Sequence, residues 1–361
     1  MTGNQHIVVL GAGYAGLAAA KRLAARAGDA RVTVVDARAE FVERVRLHQQ
    51  VAGQRVRRWD LTELLERKGI RFVQARATDI DTVGKRVELD SGASIDYDAL
   101  IYALGSLADP VGVPGVTEFA RTVATPEDSV WTAKGTVAVV GAGATGIEVA
   151  AELAESQPDS RVLLLSPDEP GAWLSATAVA HIRKVLERMG VEIRSGAKVV
   201  EVTADGVRLA NGEFVAADTT VWTTGFGVPD LAARAGLEVD GAGRVLTDES
   251  LRSLSHPDIY AAGDSAVVAG PGERSLRMAC ATALPTGKYA ADAVTARMRG
   301  RDPRDLRFRY VFQCISLGRR DAVIQFLHAD DTPARTVLRG WVGARVKELV
   351  VRGAAVAAGL R

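Results

Sequence analysis

Hydrophobic positions fall in short alternating or continuous runs separated by glycine turns and longer helical stretches, and the order of these pieces is written twice. The first run, His6-Ile7-Val8-Val9-Leu10, breaks into Gly11-Ala12-Gly13-Tyr14-Ala15-Gly16 and continues as an alanine-rich helix. A second apolar strand, Arg31 to Val35, ends in Asp36, twenty residues after Gly16. Leu61 to Lys68 places Leu61, Leu64 and Leu65 on one side of a helix that Gly69 stops. Short β-patterned runs follow at Ile70 to Ala75, Arg86 to Leu89 and Ser94-Ile95, with a hairpin turn at Gly92, and the strand Ala99 to Leu104 ends at Gly105.

From Thr136 the same order recurs. Thr136 to Val140 enters Gly141-Ala142-Gly143-Ala144-Thr145-Gly146 and a helix, and Arg161 to Leu165 is the next strand. His181 to Arg188 predicts a helix ending at Gly190. Val191 to Arg194, Lys198 to Thr203, Gly206 to Leu209 and, after the Asn211-Gly212 turn, Glu213 to Val215 are the short runs; Thr219 to Thr224 ends at Gly225. Gly69 and Gly105 are 36 residues apart, Gly190 and Gly225 are 35. Agreement over whole modules argues for an internal duplication, each copy a parallel sheet with a small antiparallel crossover. Pro110 to Pro114 reads as the linker between them. Later, Asp258 to Ala262 is a strand ending in Gly263-Asp264, where an acid can take the hydroxyls of a ribityl chain.

The turns carry the chemistry. Gly11 permits the tight turn, Gly13 lets the backbone approach a pyrophosphate, and Gly16 lets helix and strand pack, so that an anion sits at the helix N-terminus. Asp36 stands where a carboxylate holds ribose hydroxyls. Two such turns in one chain mean two dinucleotides, or one dinucleotide and one flavin dinucleotide. In the polar segment Phe41 to Gly53, Arg44, Arg46 and His48 either meet phosphate or flavin edges or stand as solvated helix residues.

At 361 residues, with 47% hydrophobic and 25% charged positions, the composition is that of a soluble globular protein of two domains and a small third piece. A net charge of +1 offers no field to draw in nucleic acid. No apolar run is long enough to span a bilayer and the N-terminus has no signal-peptide layout, which places the protein in the cytosol. Cys280 and Cys314 are far apart in sequence and form no C-x-x-C pair, and the five histidines lack metal spacing, so no metal site is expected.

Nearly the whole chain resembles the two-dinucleotide flavoproteins of the pyridine-nucleotide oxidoreductase superfamily. The resemblance implies an α/β fold of two Rossmann-like domains with β-meander crossovers: 1–109 and 246–300 for FAD, 110–245 for NAD(P)H, and a C-terminal region at 301–361. FAD would lie on Gly11, Gly13, Tyr14, Ala15, Gly16 and Asp36, with Arg44, Arg46, Gly263 and Asp264 beside it. NADH or NADPH would lie on Gly141, Gly143, Gly146 and Ser166. Gly105 and Gly225 match family landmarks at the crossovers.

Arg277 to Ala291 and Ser316 to Val323 are similar to the type II NADH:quinone oxidoreductases, and more so to the short apoptosis-inducing-factor-like quinone reductases. The implied activity is a FAD-dependent NAD(P)H dehydrogenase passing electrons to a quinone or quinone-like acceptor. The glutamine-rich stretch of type II enzymes is here Ala281-Thr282-Ala283-Leu284-Pro285-Thr286, and their long C-terminal membrane region is shortened. Glu148 matches a family glutamate near the nicotinamide; a first-turn helix-dipole partner is the alternative.

Ser166 stands as far from Gly146 as Asp36 from Gly16, and Pro167-Asp168-Glu169 adds negative charge with no adjacent arginine, which favours NADH. Cys280 and Cys314 would carry a persulfide if both faced the flavin, as in sulfide:quinone reductases; small buried hydrophobes are the alternative. From Trp341 to Val350 an amphipathic helix puts Val342, Val346, Leu349 and Val350 on one face. It either packs on its own fold or lies on the inner face of the membrane as a peripheral contact. Rival functions are reduction of a soluble iron–sulfur protein and a flavin-dependent redox switch that alters a partner surface. A homodimer is compatible with all of these.

Overall fold

The computed structural model describes residues 5–108, 112–127 and 135–360. Two five-stranded sheets repeat one another, and every pairing in both is parallel. In the first, Ile259–Ala261, Ala99–Tyr102, His6–Leu10, Arg31–Asp36 and Arg71–Gln74 lie side by side in that order. The second runs Ala120–Thr122, Thr219–Trp222, Thr136–Val140, Arg161–Ser166, Glu192–Ser195. The central strands are continuous apolar runs because both faces are covered: in the second module Val137, Val139, Val162 and Leu164 pack with helices, and Ala138, Val140, Leu163 and Leu165 pack with Val202, Val207 and Leu209 of the small antiparallel crossover. Ile7 to Leu10 and Val137 to Val139 are fully buried.

The duplication extends to single hydrogen bonds. The Asp98 carboxylate accepts from His6 N at 2.7 Å, and in the second copy the Asp218 carboxylate accepts from Thr136 N at the same distance. Each module carries a three-stranded meander, Ala77–Asp81, Arg86–Leu89 and Ser94–Asp96 in one, Val199–Thr203, Gly206–Leu209 and Phe214–Ala216 in the other. Both are bulged at the same step, between Ala77 and Asp79 and between Val199 and Glu201. The patterns predict most of these strands to within a residue or two; Ala77–Asp81 and Ala120–Thr122 escape them. Pro110, in the expected linker, lies outside the described residues.

The 41–53 segment is more than a loop over a cofactor. Glu40–Val42 pairs with Arg58–Asp60, and Leu47–Val51 is a short helix whose Leu47 and Val51 enter the core around the second glycine-turn helix, Ala144–Ser156. Downstream, the helix Cys280–Met298 packs along the first glycine-turn helix, Tyr14–Arg26. A Cβ on Gly287 would lie 2.1 Å from the Ala15 carbonyl oxygen, so only glycine allows that approach. A three-stranded antiparallel sheet, Phe312–Ser316, Ala322–Leu327 and Pro333–Leu338, precedes a tail helix at Gly340–Ala358. The tail is eight residues longer at its C-terminal end than the pattern expects.

Candidate active site

Both glycine turns are built to the same plan. Gly11 and Gly141 have φ of +96° and +103°, a region costly for other residues. A Cβ on Gly16 or Gly146 would lie 1.8 Å from the carbonyl oxygen of Gly11 or Gly141. Above Gly13 and Gly143, by contrast, a Cβ would meet nothing within 4 Å. These two glycines therefore face open space at a helix N-terminus, the place a pyrophosphate requires.

Around the first turn, most of the expected FAD residues converge. One Asp36 oxygen accepts from Ala12 N at 2.7 Å, closing the strand end over the turn. Gly263 sits against Ala15, and its N–H donates to Thr286 Oγ1 at 3.1 Å. Ser106 Oγ donates to Asp264 Oδ2 at 2.7 Å, Gly105 N donates to Ser265 Oγ at 3.0 Å, and Arg44 Nη1 reaches the Ser106 carbonyl at 3.0 Å and Asp264 at 4.0 Å. Asp264 Oδ1 and Tyr14 OH are buried with no hydrogen-bond partner among the described residues. Orphaned polar atoms beside an open glycine cradle fit a polar cofactor such as FAD.

Arg46 is placed differently. Its guanidinium is held by Glu43 at 3.1 Å and by both oxygens of Glu348 at 2.9 and 3.1 Å, so it ties down the tail helix and is neither solvated nor free for a phosphate. His48 is buried too, with no resemblance to a solvated helix residue. Its Nδ1 lies 3.6 Å from Glu148, beyond hydrogen-bond length, and its Nε2 has no partner among the described residues. Burial, reinforced by the Lys347 charge, pushes the imidazole down to about 4 against the pull of Glu148, so it is neutral near pH 7.

Glu148 projects from the second turn of the helix Ala144–Ser156 into an enclosed site. Lys347 of the tail helix donates to it, and Ser316 N donates at 2.9 Å. Burial opposes ionisation, but the Lys347 charge and the Ser316 N–H hold the carboxyl below its ordinary value. Glu152 and Glu155 follow on the same helix; Gln54 binds Glu152, and Arg319 N donates to Glu155. One helix face thus gathers the 47–54 segment, the C-terminal sheet and the tail. Lys347 and Glu348 were invisible to motif reading because their partners lie 199 and 302 residues away.

Ser166 ends its strand buried, its Oγ accepting from Asp168 N at 3.3 Å. The arginine missing beside Glu169 in sequence is supplied in space by Arg183. Gly225 lies at a turn with φ of +77°, and the next residues, Phe226–Gly227, pair with Leu107–Ala108, joining the two crossovers. Burial pushes both thiols up, Cys314 to about 12, which leaves them protonated and poor nucleophiles.

On the tail, the expected apolar face is divided: Val346 and Val350 are half-buried while Val342 and Leu349 are exposed, and Trp341, 71% exposed, and Val356 join them on the outer face. Among the described residues no helix is long and apolar enough to cross a membrane, and no cluster of His, Cys, Asp and Glu is arranged to hold a metal.

Residues 5–288 match the family described as pyridine nucleotide-disulphide oxidoreductase. The chain belongs to this family. It is an NAD(P)H-dependent flavin oxidoreductase, and the family binds FAD and NAD(P)H. Its relatives within that family include an NADH dehydrogenase-like protein of Mycobacterium tuberculosis, 33% identical over 88% of this chain and 86% of the relative. A type II NADH:quinone oxidoreductase of Staphylococcus epidermidis is 29% identical over 89% of each chain. Among solved structures, the Plasmodium falciparum NDH2 in complex with NADH superposes with a TM-score of 0.81 at 15% identity, covering 96% of this chain and 94% of that one. At that identity the likeness shows the fold, and it is the α/β fold of two parallel sheets with antiparallel crossovers expected from the sequence.

Proposed function

We propose that this protein is a FAD-dependent NAD(P)H dehydrogenase whose acceptor is a quinone or quinone-like small molecule. The observation that carries the reading is the pair of open glycine cradles in one chain, with the buried Glu148–Lys347 contact linking the helix behind the second cradle to the tail. Likeness to a type II NADH:quinone oxidoreductase over 89% of the chain supports the choice of acceptor.

When bound, FAD supplies hydride acceptance from the nicotinamide and delivery of electrons to the acceptor. The chain's own residues supply position. In this reading the Gly11–Gly16 and Gly141–Gly146 turns hold the two pyrophosphates, Asp36 orients one ribose, and Asp264 with Ser106 and Arg44 receives the ribityl hydroxyls. Glu148 is held as the carboxylate by Lys347 and the Ser316 N–H, and that contact fixes the tail helix against the helix behind the second cradle.

Anaerobic stopped-flow tests this. The purified yellow protein is mixed with NADH or NADPH, then with a quinone series or a ferredoxin. Rapid loss of flavin colour followed by rapid return with quinone is the expected result. Return with ferredoxin alone would move the acceptor to an iron–sulfur protein, a role named for a Castellaniella defragrans relative 31% identical over 83% of this chain. No loss of colour with either nucleotide would sink the dehydrogenase reading.

A further inference from the structure

The two modules differ at one point of their shared plan. In the first, the carboxylate of Asp36 closes the strand end next to the glycine turn. In the second, Ser166 takes that position and two acids follow in a bend bounded by Pro167 and Pro170, Asp168, which is exposed, and Glu169, which is half-buried. The bend is braced from two sides. Arg183, on the helix Ala176–Arg188, grips Glu169 with Nε and with Nη2, the latter at 2.7 Å from Oε2. Ser195 Oγ donates to the same oxygen at 2.8 Å, and Ser195 is registered directly opposite Ser166 on the neighbouring strand. The third nitrogen of Arg183, Nη1, donates to Glu187 at 2.9 Å.

Every nitrogen of this guanidinium therefore faces a carboxylate. An arginine beyond the end of this strand is the group that receives the 2′-phosphate of NADP(H), and an acid there takes the free 2′-hydroxyl of NAD(H). The second module has both, with the acid on the arginine. A 2′-phosphate would have to displace a bidentate, charge-assisted pair and would also meet Asp168, which is exposed on the same bend.

We propose that Glu169 is the residue that makes this site select NADH over NADPH, and that it acts by occupying Arg183, a latent phosphate receptor. The proposal rests on the reading that the second cradle takes the nicotinamide dinucleotide. It goes beyond the negative charge visible in the sequence, because it locates the selectivity in one ion pair and makes it reversible by a single substitution.

The test is calorimetric titration of the purified flavoprotein with NAD⁺ and with NADP⁺, for the native chain, Glu169→Gln, and Glu169→Gln combined with Arg183→Met. The native chain should bind NAD⁺ at least about tenfold more tightly than NADP⁺. Glu169→Gln should tighten NADP⁺ by about tenfold while NAD⁺ changes by less than about threefold, and the double variant should lose that gain. Native preference for NADP⁺, no gain in Glu169→Gln, or a gain that survives loss of Arg183 overturns the proposal. Binding of neither nucleotide overturns it together with the dehydrogenase reading. The expected binding pattern without flavin reduction overturns the dehydrogenase reading alone.

Discussion

Lys347 of the tail helix donates directly to the carboxylate of Glu148, and both side chains are almost entirely enclosed, at 12% and 13% exposure. An enclosed pair of this kind adds little net stability, but removing one member strands the other's charge. Lys347→Met should therefore destabilise the fold by about 3 to 5 kcal/mol. Adding Glu148→Gln should recover a good part of that loss. Urea unfolding of both singles and the double variant measures it; additive losses would show that the two groups do not interact.

His48 gives the fold a specific acid sensitivity. Its folded-state pKa is depressed from 6.5 to about 4, so the unfolded chain binds the proton first. Its contribution is complete above pH 6.5 and is lost as pH falls from there toward 4, on the order of 3 kcal/mol in all. Glu148, whose carboxyl is also depressed, adds its loss only below the ordinary carboxylate range. Stability measured at pH 7.5 and pH 5 should fall more steeply for the native chain than for His48→Asn. Equal slopes would place the acid sensitivity elsewhere.

The glycines should separate folding from binding. Gly16→Ala drives a Cβ into the Gly11 carbonyl and is expected to destabilise the first module by about 1 to 3 kcal/mol or more. Gly13→Ala meets no protein atom, so it should leave the melting temperature of the apoprotein unchanged and still weaken FAD retention. Gly143→Ala should keep the flavin and raise the KM for NADH. An apoprotein of Gly13→Ala that melts early would contradict this division of labour.

The two cysteines should be slow to react. With both thiols pushed up by burial, Cys314 to about 12, alkylation by iodoacetamide at pH 8 should run well below the rate of an exposed cysteine. Mass spectrometry over a time course reads it. Fast labelling of either thiol would reopen a persulfide chemistry.

What the sequence showed clearly was whatever is encoded locally. Both glycine turns, the strands feeding them and the helices leaving them stand out because glycine placement and apolar period act over a few residues. Ala120–Thr122 did not stand out, since three residues carry no period and its partner strand begins almost a hundred residues later, at Thr219. Ala77–Asp81, reading Ala-Thr-Asp-Ile-Asp, lacks the alternation of a half-buried strand and forms through its meander partner. Within the site, Gly11, Gly141 and Asp36 could be placed by spacing alone. The partners that decide the states of Glu148, Arg46 and Glu169 could not, because Lys347, Glu348 and Arg183 are brought in by the fold from other elements.

The first sheet is not a contiguous stretch of chain. Its outer strand is Ile259–Ala261, and the helix that covers Tyr14–Arg26 is Cys280–Met298, fastened by Arg22 and Arg26 to Asp292. The second sheet, in contrast, is complete within residues 120–222. On the ribosome, the usual order of domain maturation is thereby inverted. The segment synthesised first must wait, with one sheet edge unpaired and a helix uncovered, while the second module pairs its whole sheet. Protease protection of stalled nascent chains should rise for residues 136–222 before it rises for residues 6–102, and flavin capture should come only after Met298 has emerged.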